Sequence, residues 1–364
     1  MTKAVLGPLA ALVVIAGLVA PGVAARAAEP APAATQAAPL LPLTDAQLAQ
    51  LRQQADSGET PAMVMLGIFY GRSGAGNDAA QARAWLEKAA KAGDATAMTL
   101  LGLREKAQGR DAQAVQWFTK AAAQGSTSAM TALARLYAEG RGVAKDDKRA
   151  FAWTQRAAEA GDARAAAELG QRYLDGHGTA KNPAAAAQWY RSAADQGVAS
   201  AMFELSLFYT NGAGVTKDPT LGFVWSLKAA RAGLPVAMYQ TAAHYKLGVG
   251  VAANQAEARR WYEQGAKAGS PEAMYGLAVL YDNGVGVTAD AGLAADWMVR
   301  AIQADGVQAI ESIMLRPEKW SRATRQALQE RLKTAGIYQG AANGEIDAAT
   351  RRAINALREQ AAKP

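Results

Sequence analysis

The sequence of 364 residues contains no cysteine and only two histidines, His177 and His244. The first absence excludes disulfides, thiolate metal sites, a cysteine nucleophile and a lipidated N-terminal cysteine. The second leaves zinc chemistry without a ligand set. There is no Gly-x-Ser-x-Gly, no phosphate loop and no His-Glu-x-x-His, so the chain reads as non-enzymatic, with no cofactor and no metal. Alternating runs of Val, Ile and Thr are missing too. Hydrophobic residues make up 50% of the chain and charged residues 20%, which excludes wholesale disorder. Alanine is the commonest residue, and the expected fold class is all-α.

Long apolar runs are absent apart from one at the start. It follows Lys3, extends from about Leu6 to Ala20, and is followed by the small-residue site Ala25-Arg26-Ala27. It falls short of the roughly 20 residues that span a bilayer. Residues 1–27 therefore read as a cleavable signal peptide. The expectation is a periplasmic mature protein with no stable membrane insertion after cleavage. Residues 28–61 read as an Ala/Pro-rich leader and an N-terminal capping helix.

What the chain does have is a period. Trp85, Trp117, Trp153, Trp189, Trp225, Trp261 and Trp297 are separated by 32 residues once and then by 36 five times. Such spacing means stacked supersecondary units. The unit is clearest in residues 129–164. A first helix carries Met130, Leu133, Ala134 and Tyr137 on one face and stops at Gly140-Arg141-Gly142. A second starts near Asp146-Asp147, or at Asn182-Pro183 and Asp218-Pro219 in sister copies, where a capping residue precedes proline. It carries Trp153, Ala157 and Ala158 and stops at Gly161, after which Asp162 caps the next unit. The tryptophans are expected in the core. A single hairpin cannot bury its apolar face, but stacked hairpins can.

The pattern A-x-x-x-L-G-x-x-Y-x-x-G-x-G-V-x-x-D-x-x-x-A-x-x-W-x-x-x-A-A-x-x-G resembles the Sel-1-like repeat, a relative of the tetratricopeptide repeat. The resemblance implies an α-solenoid of seven helix-hairpin repeats over 62–315 that binds a protein partner. Alignment with the tetratricopeptide relatives implies a groove lined by the first helices. Its expected residues are Phe203, Leu207, Asn211, Tyr239, Lys246, Tyr275, Asp282 and Asn283.

Residues 316–364 break the pattern. Leu328, Gln329, Leu332, Gly336, Tyr338, Gly340, Gly344, Thr350 and Ile354 resemble the motif of the small three-helix peptidoglycan-binding domain of bacterial wall hydrolases. Asn343 stands where that family has Asp, and Leu357-Arg358 where it has Phe-Gln. This segment holds ten Lys or Arg against five Asp or Glu, whereas residues 28–315 are balanced at 27 of each. A basic face attracts polyanions; in an exported protein the expected one is peptidoglycan, whose stems carry carboxylates, and not nucleic acid. The expected contact residues are Arg325, Arg331, Tyr338, Asn343, Thr350, Arg351 and Arg352. An exported regulator of a membrane sensor kinase, without wall binding, is the alternative. Glu311-Ser312 is similar to the Glu-Ser pair of lytic transglycosylases, but the catalytic domain of those enzymes has no counterpart here.

Overall fold

The computed structural model describes residues 44–71 and 78–361. The expected signal peptide and leader residues 28–43 lie outside the described residues. Among the described residues the regular elements are α-helices and one 3-10 turn, with no strand. Two compact units divide between Val198 and Ala199.

The first unit opens with α1 (Asp45–Asp56), where Thr44 and Gln47 form a capping box. Four hairpins follow: α2 (Thr60–Gly71) with α3 (Ala79–Lys91), α4 (Ala95–Ala107) with α5 (Asp111–Ala123), α6 (Thr127–Glu139) with α7 (Asp147–Glu159), and α8 (Ala163–Asp175) with α9 (Pro183–Asp195). Helix starts are set by side chains that accept orphan N–H groups: Asp78, Asp94, Ser126, Asp146, Asp162 and Asn182. Their ends at Gly140 and Gly176 are left-handed.

Close helix approach comes from small residues. A Cβ on Gly67 would stand 2.5 Å from Leu86 Cγ, and one on Gly102 would stand 2.6 Å from Phe118 Cε1. The repeat with Ala134 at that position has the smaller Thr154 at the position of Phe118. Within this unit successive repeats dock through the second glycine of a Gly-x-Gly loop, at Gly142 and Gly178. A Cβ on Gly178 would lie 2.0 Å from the Asp147 carbonyl oxygen of the preceding repeat.

The tryptophans that mark the period are not the deepest residues. Trp85, Trp117, Trp153 and Trp189 are half-buried, whereas Leu86, Phe118, Thr154 and Tyr190 just after them are buried. One residue turns the side chain about 100° around the helix, so the following residue enters the hairpin core and the indole lies on its rim. The cation three residues on covers the ring: Lys88 at 4.0 Å from the Trp85 centroid, Lys120 at 4.7 Å from that of Trp117, Arg156 at 4.8 Å from that of Trp153.

The second unit has three more hairpins: α10 (Ala199–Asn211) with α11 (Pro219–Arg231), α12 (Pro235–Leu247) with α13 (Gln255–Lys267), and α14 (Pro271–Asn283) with α15 (Ala291–Gln303). Here Trp225 is buried, while Trp261 and Trp297 are again half-buried. Then come α16 (Val307–Leu315), the turn Pro317–Lys319, α17 (Arg322–Thr334) and α18 (Ala348–Ala361). Helices α17 and α18 pack on α15. Trp320, Leu328, Leu332, Ile354 and Leu357 share one apolar core with Met298, Ile302 and Ile313. The boundary at 315/316 is thus a change of sequence pattern, not of packing: residues 316–361 complete the core of the last repeat.

Two ion pairs border this join. Arg331 Nε meets Asp296 Oδ1 at 2.6 Å, and Arg358 Nε meets Asp305 Oδ1 at 2.5 Å. Asp305 has φ 58° and stands where earlier repeats place Gly233 and Gly269.

Candidate partner groove and basic face

The expected groove lies on the first helices of the second unit. Its third-position aromatics face inward. Phe203 is 5% exposed and Tyr239 8%. Tyr239 lies tilted against the buried Tyr262, ring centroids 5.8 Å apart. Burial pushes the hydroxyls of both tyrosines far above their ordinary range; Glu272 and Tyr275 add to the shift of Tyr239 and Gln308 opposes it. Phe203 and Tyr239 are therefore core residues, not anchors waiting for a partner.

Tyr275 is half-buried, and the chain's own C-terminal segment covers it. The Trp320 ring meets it edge-on, centroids 5.8 Å apart. The Tyr275 hydroxyl and the Trp320 indole N–H both donate to Ser312 Oγ, at 3.3 and 2.9 Å. The carboxylate of Asp282 accepts the Ser321 backbone N–H at 3.2 and 3.3 Å. This corrects the groove at its last repeat, which is filled from within the chain. Ser312 is thus a structural acceptor, while Glu311 is exposed.

The remaining groove positions are more open. Leu207 and Lys246 are half-buried, and Asn211 and Asn283 are exposed. Asn283 Nδ2 turns back to the Val279 carbonyl at 2.9 Å. Sequence reasoning missed Ser312 and Trp320 as occupants of this face. The available signal was that Trp320 falls outside the 36-residue spacing.

The basic face is also divided. Tyr338 and Thr350 are buried around Gln329. That residue is fully buried, and its Nε2 donates to Tyr338 Oη at 3.3 Å, Thr350 Oγ1 at 3.0 Å and the Glu345 carbonyl at 2.8 Å. Its Oε1 accepts the Gly344 N–H at 2.8 Å. Tyr338 and Thr350 therefore hold the loop together and are withdrawn from any polymer. The Thr350 N–H, bonded to Asp347 at the start of α18, holds that carboxyl below its ordinary range.

Arg331 is committed to Asp296. Arg325 is half-buried, with its Nε enclosed and unbonded. Asn343, Arg351 and Arg352 are exposed, and Arg351 Nε donates to the Ile346 carbonyl at 3.2 Å. Of the seven expected wall residues, these three present a polar surface to solvent. Neither histidine belongs to a site. His177 is exposed, whereas His244 is buried and its Nδ1 meets the Val249 carbonyl at 2.7 Å. Among the described residues no cluster of His, Asp and Glu could hold a metal, and no helix is long and apolar enough to cross a membrane.

Seven consecutive segments, residues 60–94, 95–126, 127–162, 163–198, 199–234, 235–270 and 271–306, match the Sel1 repeat. Among solved structures the chain is similar to c5321, a protective antigen present in uropathogenic Escherichia coli strains and displaying an SLR fold. The identity is 29% and the TM-score 0.67, over 84% of this chain and 71% of that one. It is also similar to a Sel1 repeat protein from Oxalobacter formigenes, at 26% identity and a TM-score of 0.61, over 86% of each chain. No curated protein matches it.

Proposed function

We propose, from the premise that this chain belongs to the Sel1 repeat family, that it is a non-enzymatic periplasmic scaffold. Its hairpins bind a protein partner, and the basic face of its C-terminal segment docks on peptidoglycan. Sel1-repeat proteins are in general protein-interaction scaffolds, and seven such repeats cover residues 60–306. The wall reading is carried by Arg351 and Arg352, adjacent on α18 and exposed, within a basic segment in which Arg331 and Arg358 are spent on aspartates of the last repeat while Arg316 and Arg322 are also exposed. Exposed guanidinium groups suit the carboxylates of stem peptides, and this attraction is screened over a Debye length of roughly 8 Å at physiological ionic strength.

Deleting residues 316–364 would open the apolar core of the last repeat, so the test is made on the surface. Residues 28–364 are expected to co-sediment with purified sacculi, less so as salt rises. Arg351→Glu with Arg352→Glu should abolish sedimentation without changing helicity. Equal sedimentation of the double variant would overturn wall docking through this face.

A further inference from the structure

The outer face of α11 carries four side chains at i, i+3, i+7 and i+10: Leu221, Val224, Lys228 and Arg231. That spacing puts them on one side of the helix. All four are exposed, Leu221 at 39% and Val224 at 38%. Two aliphatic side chains thus lie in water near the start of the helix, and two cations follow toward its end. Lys228 is laid over the Trp225 ring, 3.9 Å from its centroid. Among the described residues no carboxylate lies within ion-pair distance of either cation; on the second helix of the next repeat, α13, Glu257 is paired with Arg260 and Glu263 with Arg259.

The packing of the repeat does not call for this aliphatic pair. The positions of Leu221 and Val224 hold Arg149 and Ala152 on α7, Ala185 and Gln188 on α9, and Glu257 and Arg260 on α13. Single apolar residues scattered on a surface need no explanation, but these two adjoin and continue into a cationic run. The chain itself shows what lies beside a second helix of this unit. Helix α17 packs on α15, and its Arg331 meets Asp296, at the position equivalent to Val224. The occupant there is a helix, seated by the apolar contacts of Leu328 and Leu332 and by a pair of opposite charges.

We propose that the outer face of α11 receives one amphipathic helix of the protein partner, antiparallel to it. Carboxylates in the first turns of that helix meet Lys228 and Arg231, and aliphatic side chains one heptad later meet Val224 and Leu221. This rests on the scaffold reading and specifies the partner's chemistry. The acidic character follows from the two cations that lack a carboxylate. The direction follows from the helix dipole: acidic residues stabilise a helix at its N-terminus, and these cations stand toward the C-terminal end of α11. Anchors at i, i+3 and i+7 are the ordinary means by which an amphipathic helix is read.

The experiment uses residues 28–364 and a fluorescein-labelled peptide of about 18 residues, long enough to form a helix, with two Glu in its first turns and two Leu one heptad after them. A second peptide has Gln for both Glu, and a third has Lys. Anisotropy should show the Glu peptide binding at least roughly fivefold more tightly than the Gln peptide, within what two exposed ion pairs supply. Leu221→Gln with Val224→Gln should weaken the Glu peptide at least about tenfold with unchanged circular dichroism, since Gln188 already stands at one of these positions in the array. Lys228→Glu with Arg231→Glu should turn the preference to the Lys peptide. Equal binding of the Glu and Gln peptides, binding unaltered in the double Gln variant, or no binding of the Glu peptide each overturns the seat on α11. These results leave the scaffold reading standing, which falls instead if neither the native chain nor the double Gln variant captures a partner from envelope extracts.

Discussion

Gly178 and Gly161 both have left-handed backbones, at φ +78° and +91°, yet they should respond very differently to alanine. Around Gly161 an added Cβ meets nothing within 4 Å. Gly161→Ala therefore carries only the left-handed cost of an L-residue, about 1–2 kcal/mol. At Gly178 the same methyl would lie 2.0 Å from the Asp147 carbonyl oxygen, 2.6 Å from its carbon and 2.9 Å from Phe151 Cβ. The obstacle is backbone in the first turn of α7 and cannot rotate aside. The loop of one repeat must then retreat from the helix start of the preceding one, an overpacking cost of typically 1–3 kcal/mol on top of the conformational cost. Gly178→Ala should thus lose about 2–5 kcal/mol in all. Because each repeat contacts only its neighbours, the loss should be local. Urea unfolding measures the size, and hydrogen exchange should show protection falling first in α7 and α8. If the two variants lie within about 0.5 kcal/mol of each other, the second glycine is not where repeats dock.

Two further outcomes follow from burial. Tyr190 is 2% exposed and its hydroxyl donates to Gln171 Oε1 at 2.8 Å, so Tyr190→Ala should cost roughly 3–5 kcal/mol. Trp189→Ala, at a half-buried rim, should cost clearly less; the reverse order in urea midpoints would return the tryptophan to the core. Burial pushes the His244 imidazole below its ordinary 6.5, against the opposing bond to the Val249 carbonyl. The unfolded chain takes up that proton first, so stability is fully present above pH 6.5 and falls as the pH drops through the lowered value. His244→Gln should flatten the change in unfolding midpoint between pH 7 and 5.5, and an unchanged slope would exclude His244 as its source.

The hairpins were readable because their determinants are local. Asn182-Pro183 and Asp218-Pro219 start α9 and α11 where a cap followed by proline requires, and Gly140 ends α6 in the left-handed region. Periodicity shows which side chains share a face. It does not show what covers that face. The third-position tyrosines looked like groove anchors because their cover comes from elsewhere: Tyr262 packs on Tyr239, and Ser312 and Trp320 close over Tyr275. The latter two belong to a stretch where the repeat had already failed.

Charge counting in the basic C-terminal segment is blind for a related reason. Counting charges cannot distinguish an arginine facing solvent from one paired 35 or 53 residues away, as Arg331 is with Asp296 and Arg358 with Asp305. One sign was nevertheless present in the sequence. Every earlier repeat ends on glycine followed by another residue, as in Gly233-Leu234 and Gly269-Ser270, but the last reads Asp305-Gly306. Aspartate is one of the few residues with a side chain that enter the left-handed region as single residues, so it can stand where the earlier repeats have glycine. Its carboxylate reaches Arg358, and the position at which the repeat rule fails is one of the points where α18 meets the array.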